Sequence, residues 1–208
     1  LDQDLLLFTS LFALFNPPAA IAPFVAVTGR FPADVQHRIA RRIAVYYLIA
    51  MVGAALIGRP LLSLLGISLP ALRLTGGFIL LLAAIPMATH PARYVQEGIS
   101  DALREEESTW STLAAVPLAF PITFGGATLS AIVTASSAAQ APLGVVRVLG
   151  VCVAMSAVVW LTYRFAPLLG RRLSRAGLSV LTAVGGVLLL SIAFQILAQA
   201  LRTLFTSA

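Results

Sequence analysis

The sequence predicts an all-α membrane protein: six transmembrane helices arranged as two inverted three-helix repeats, with spans one and four broken at mid-membrane. Three observations carry this reading. Of the 208 residues, 59% are hydrophobic and only 11% are charged, and the apolar residues fall in long runs. Two breaks, Asn16-Pro17-Pro18 and Pro121-Ile122-Thr123-Phe124-Gly125-Gly126, stand inside apolar runs where a continuous helix is expected. Aligning Gly76-Gly77 on Gly185-Gly186 sets an offset of 109 residues, and the same offset lays Phe15 on Phe124, Asn16 on Gly125 and Pro17 on Gly126 without a gap. Paired interruptions across a repeat point to the binding site of repeat-built transporters.

The spans follow in order within a single transmembrane domain, residues 1–208. The first repeat covers 1–89, a polar cytoplasmic link 90–111 and the second repeat 112–208. Span one runs from about Leu5 to Thr28 and contains the first break. A polar link with Arg30, Asp34, His37, Arg38, Arg41 and Arg42 leads to span two, about Ile43 to Leu65, where Arg59-Pro60 suggests a boundary or kink. Gly66 to Pro70 reads as a tight turn, with Ser68 capping the next helix and Pro70 in its first turn. Span three runs from about Pro70 to Met87 and is closed by Pro86 and Pro91. The link that follows holds Glu97, Asp101, Glu105, Glu106 and Glu107, and reads as a short surface helix. Span four, about Leu113 to Ala135, carries the second break. Span five runs from about Val145 to Tyr163, a basic link holds Arg164, Arg171, Arg172 and Arg175, and span six runs from about Leu178 to Leu201.

Net charge is +6, carried by 14 Arg and no Lys. These Arg flank apolar spans and form no basic face, so they read as topology signals and no nucleic acid is expected. Ten lie in the links after spans one, three and five, and four (Arg59, Arg73, Arg147, Arg202) on the other side. The positive-inside rule puts the ten in the cytoplasm and both termini outside. Arg73 is expected to snorkel to the outer surface. Asp2 and Asp4 stand where a signal peptide carries basic residues, so none is expected. Cys152 is the single cysteine, which excludes an internal disulfide, and no cofactor or metal is expected.

In hydrocarbon each unsatisfied backbone group costs several kcal/mol, so a break survives only against protein or a wet cavity. Pro17 and Pro18 remove two donors; Asn16 is expected to cap a new half-helix with free amides at Ala19 and Ala20. Gly125 and Gly126 are expected to do the same job through unusual backbone angles and close ligand approach. Each half-helix N-terminus carries about half a positive charge, and two facing one chamber attract a carboxylate. The expected substrate-binding set is Asn16, Pro17, Pro18, Ala19, Ala20, Thr75, Thr123, Phe124, Gly125, Gly126 and Thr128. Nearby polar side chains are small and neutral, and no Asp or Glu lies inside a span, which suits a small neutral zwitterion. Gly76-Gly77 and Gly185-Gly186 read first as close-packing surfaces. No His, Cys or carboxylate stands near either break, so an enzyme is not expected.

At these residues the chain resembles the MarC family of bacterial inner-membrane proteins, which includes small neutral amino acid transporters. The resemblance covers almost the whole chain. It rests on Leu14-Phe15-Asn16-Pro17-Pro18, on Arg73-Leu74-Thr75-Gly76-Gly77-Phe78, on Val116-Pro117-Leu118-Ala119-Phe120-Pro121 before a Gly-rich break, and on the acidic stretch ahead of span four. It implies a multi-pass six-helix transporter of the lysine-exporter superfamily, set in membrane lipid, that exports or exchanges amino acids such as glycine and alanine. Phe124-Gly125-Gly126-Ala127 stands where the family often has Gly-Pro-Gly, and Pro86 stands where an acidic residue is common. The alternative is efflux of drugs or other small metabolites, which calls for an aromatic lining of the site. Direction, coupling ion and the state of any homo-oligomer stay open.

Overall fold

The computed structural model describes residues 3–29, 31–94, 96, 124–139, 142–172 and 174–206. Thr123, the first half of span four and most of the polar link therefore lie outside the described residues. Among those described, all regular structure is helical: α1 (Gln3–Phe15), α2 (Pro17–Thr28), α3 (Ala33–Leu64), α4 (Leu69–Thr89), α5 (Gly126–Ala138), α6 (Pro142–Arg172) and α7 (Arg175–Thr206). Four of them, α3, α4, α6 and α7, are long and apolar enough to cross a membrane. Helices α1 and α2 divide the stretch expected as span one at Asn16, and α5 is the described part of the stretch expected as span four.

Helix boundaries correct the hydropathy reading in two places. The link ahead of Ile43 is mostly helix, because α3 begins at Ala33. Likewise α6 runs past Tyr163 to Arg172. Hydropathy marks the part of a helix that suits hydrocarbon, whereas polar turns continue as helix into water; 32 residues of α3 extend about 48 Å, against a core of roughly 30 Å. Pro60 and Pro86 lie inside α3 and α4 rather than ending them. The turn between these helices is as expected: Gly66 takes φ 68°, and the Ala71 amide donates to Ser68 Oγ at 3.3 Å.

Two helix pairs build the body. In α3 the buried residues Ile39, Ile43, Tyr47, Met51 and Ala54 recur at three- and four-residue spacing. They face a matching stripe on α6: Val148, Cys152, Met155, Val159 and Tyr163. Ser156 Oγ donates to the Ala44 carbonyl across this seam at 2.8 Å. The second pair, α4 with α7, is packed through glycine. A Cβ on Gly77 would meet Ile196 and Leu197, and one on Gly186 would meet Met87 and Ala88, at 2.5–3.2 Å. These two contacts map onto each other under the 109-residue offset that separates Gly76 from Gly185. The element bounds nearly do so as well: α2 shifts onto α5 and α3 onto α6, each within a residue. The opposite faces of the long helices leave Ile49, Ile57, Phe78, Leu82, Val153, Val187 and Phe194 exposed. Such a surface suits lipid and not water.

Candidate functional site

Both breaks are held by helices distant in sequence. Helix α2 packs on α6 and α7, while α5 packs on α3 and α4. At the first break Asn16 is 4% exposed and takes the left-handed conformation, φ 46°. After glycine, Asn is one of the residues that tolerates this region best. Its side chain does not cap α2. Instead Asn16 Nδ2 donates to the Gly185 carbonyl at 2.8 Å. At the second break a Cβ on Gly76 would lie 2.5 Å from the Gly126 carbonyl carbon, and one on Gly126 would lie 2.9 Å from Gly76 Cα. The Asn16–Gly185 and Gly126–Gly76 contacts are counterparts, to within one residue, under the same offset. Gly185 thus receives the break at Asn16, and Gly76 the break at Gly126.

This geometry changes the role expected of the break residues. Gly125 is extended, φ −108°, a conformation open to any residue, so its glycine is not explained by backbone angle. Gly126 is required by close approach. The Ala20 amide is not free: it donates to the Asn16 carbonyl at 3.1 Å, and the Asn16 amide donates to the Phe12 carbonyl at 3.0 Å. What Pro17 and Pro18 leave open is on the other side, at the carbonyls of Ala13 and Leu14, whose helical partners would be the two missing N–H groups.

A cavity of about 590 Å³ runs along α1 from Gln3 to Leu14 and along α5 from Ala127 to Ala139. It reaches residues flanking both breaks, Ala13 and Leu14 on one side and Ala127 on the other. Arg73, Ser130, Thr134 and Gln195 are among the residues around it, as are Asp4 and Arg147. The last two form an exposed ion pair at 3.9 Å. Of the sequence-expected set, Asn16, Ala20, Phe124 and Thr128 are buried and do not line the cavity, and Pro17 is half-buried. Thr75 is exposed, with its hydroxyl donated to the Ala71 carbonyl at 3.0 Å. Phe15 stands edge-on to Tyr163 at 5.8 Å, and its counterpart Phe124 edge-on to Tyr47 at 6.0 Å. These rings close the core behind the breaks.

Arg73 was not expected on the cavity wall. Rather than reaching the outer surface, its Nη2 donates to Thr134 Oγ1 at 3.0 Å. The signal available in the sequence was an Arg in the second turn of an apolar span, which does not by itself give the direction of the side chain.

The MarC family model, described as a MarC family integral membrane protein, matches residues 3–205. The chain belongs to the MarC family. It is 28% identical over 205 residues to a UPF0056 membrane protein of Methanocaldococcus jannaschii, covering 97% of each chain. It is 31% identical over 194 residues to a UPF0056 membrane protein of Chlamydia muridarum, covering 93% of this chain and 90% of that one. With the UPF0056 membrane protein YhcE of Escherichia coli the identity is 24% over 199 residues, covering 95% of this chain and 91% of that one. No solved structure matches. This MarC protein is therefore an integral membrane protein that these relatives match over 93–97% of the chain.

Proposed function

We propose that this MarC protein is a secondary transporter, an exporter or exchanger of small neutral amino acids such as glycine and alanine. In this reading it lies in a cytoplasmic membrane with both termini outside, its halves are inverted repeats, and it carries no reaction chemistry. The observation that carries the reading is the crosswise seating of the two breaks beside a cavity that carries polar side chains among apolar ones. Irregular backbone at membrane depth is tolerated where it meets protein or water, and here it meets protein, with a cavity beside it. The recurrence of glycine contacts at one offset supports two equivalent halves. Rocking of one half against the other about the breaks then exposes a central site alternately to each side.

The chemistry of the cavity suits a zwitterion. The carbonyls of Ala13 and Leu14 accept from an ammonium group, and Arg73 attracts a carboxylate. Drug efflux is less well supported, because Phe15 and Phe124 are engaged by Tyr163 and Tyr47 and do not line the cavity. Affinity must be modest: glycine has about five heavy atoms, and a ceiling of about −1.5 kcal/mol per atom gives a Kd no tighter than roughly micromolar. Counterflow of radiolabelled glycine in proteoliposomes tests the reading. Glycine exchange by the wild type and its loss when Asn16 and Gly125 are both replaced by Leu are expected. Flux unchanged in that variant, or no flux in the folded wild type, removes the proposal.

A further inference from the structure

We propose that Arg73, Ser130 and Thr134 form a one-sided carboxylate site in the cavity wall. That the carboxylate belongs to an amino acid rests on the transport reading above; the site itself does not. Arg73 lies in the second turn of α4 and turns to the cavity wall, to Thr134 on another helix. Its guanidinium has five N–H donors. One goes to Thr134, and among the described residues no carboxylate pairs with it. The cavity's Asp4 is held by Arg147 instead.

Thr134 in turn donates its hydroxyl proton to the Ser130 carbonyl at 2.7 Å. Its oxygen is thereby oriented to accept from Arg73, which fixes the guanidinium against α5. One turn back, Ser130 is among the residues around the same cavity; it is 2% exposed, and its Oγ, sealed just beneath the wall, has no hydrogen-bond partner among the described residues. A buried hydroxyl without a partner is rare and calls for an explanation. A guanidinium fork with donors to spare on the wall, and an unpaired hydroxyl just beneath it that a turn of the serine side chain brings to the cavity, match the two oxygens of a carboxylate.

The repeat argues that this group is not a demand of the fold. Under the 109-residue offset Arg73 corresponds to Thr182, Ser130 to Ile21 and Thr134 to Val25. The glycine contacts recur in both halves, whereas these three donors do not. Thr182 is buried with its hydroxyl on its own helix, at the Leu178 carbonyl. The site therefore belongs to one face of the protein only, and it makes a carrier of this kind unequal toward solute arriving from its two sides.

The test is ligand-induced thermal stabilisation of the purified full-length protein at constant ionic strength, with acetate, glycine, glycinamide and chloride as probes. Acetate and glycine are expected to stabilise the wild type saturably, and glycinamide and chloride are not. Arg73→Gln and Ser130→Ala should each weaken acetate about tenfold or more, with Arg73→Lys in between. Without ligand, Ser130→Ala should melt no lower than the wild type, because the hydroxyl it removes has no partner, so its binding loss is not a folding loss. Equal stabilisation by chloride, or acetate affinity unchanged in either Arg73→Gln or Ser130→Ala, overturns the site. Acetate and glycine binding with no glycine flux keeps the site and ends the amino acid transport reading. Glycine flux with an unaltered KM in Arg73→Gln ends the site and keeps that reading.

Discussion

Replacing Asn16 separates its two functions, holding a left-handed backbone and tying α2 to α7. Glycine adopts φ 46° freely. Asn16→Gly therefore loses the bond to Gly185, about 0.5–1.5 kcal/mol, together with about 0.4–1 kcal/mol from the freer unfolded chain. Asn16→Ala loses the same bond and must force a Cβ residue into the left-handed region, which adds roughly 1–2 kcal/mol. The alanine variant should thus be the weaker by roughly 0.5–1 kcal/mol. At about 2–4 °C per kcal/mol for a chain of this size, it melts about 1–4 °C below the glycine variant. Asn16→Asp should be worst, since it sets a buried carboxylate, which only accepts, against the Gly185 carbonyl. Thermal unfolding of the three variants in one detergent reads the order directly. An alanine variant as stable as the glycine one, or an aspartate variant as stable as wild type, would refute this account of the break.

Three further outcomes are expected. Gly76→Ala and Gly186→Ala drive a methyl into the backbones of α5 and α4 and should each cost about 1–3 kcal/mol or more, whereas Gly53→Ala and Gly150→Ala meet no atom within 4 Å and should be neutral or slightly stabilising in the same melts. Tyr47→Phe removes a buried hydroxyl that has no partner, so its melting temperature should match or exceed that of wild type; a clear loss would mean the hydroxyl is bonded. A cysteine placed at Gln3 should react with a membrane-impermeant maleimide added outside intact cells, over a low background from the fully buried Cys152; labelling only after lysis would reverse the proposed orientation.

Much of the architecture was legible because its signals are local. Proline at 17 and 18 removes donors wherever it stands, and a glycine pair in an apolar run marks close packing. The partners of those features were not legible. Asn both caps helices and tolerates positive φ, and the choice at Asn16 is decided by a carbonyl 169 residues away. Gly126 could have served backbone angle or proximity, and only Gly76 decides between them. Arg73 could turn outward or inward, and Thr134 on another helix draws it in. The helix ends at Ala33 and Arg172 were missed because hydropathy reports the solvent around a helix and not its length.

The tie between Asn16 and Gly185 also bears on how the chain matures. During synthesis the amino-terminal segment enters the bilayer long before its acceptor has left the ribosome. Until α7 arrives, that kink has to be sheltered by water, lipid headgroups or the insertion machinery. A nascent chain arrested anywhere short of Gly185 should therefore remain a protease-sensitive intermediate, and the last helix should act as the latch that completes the first.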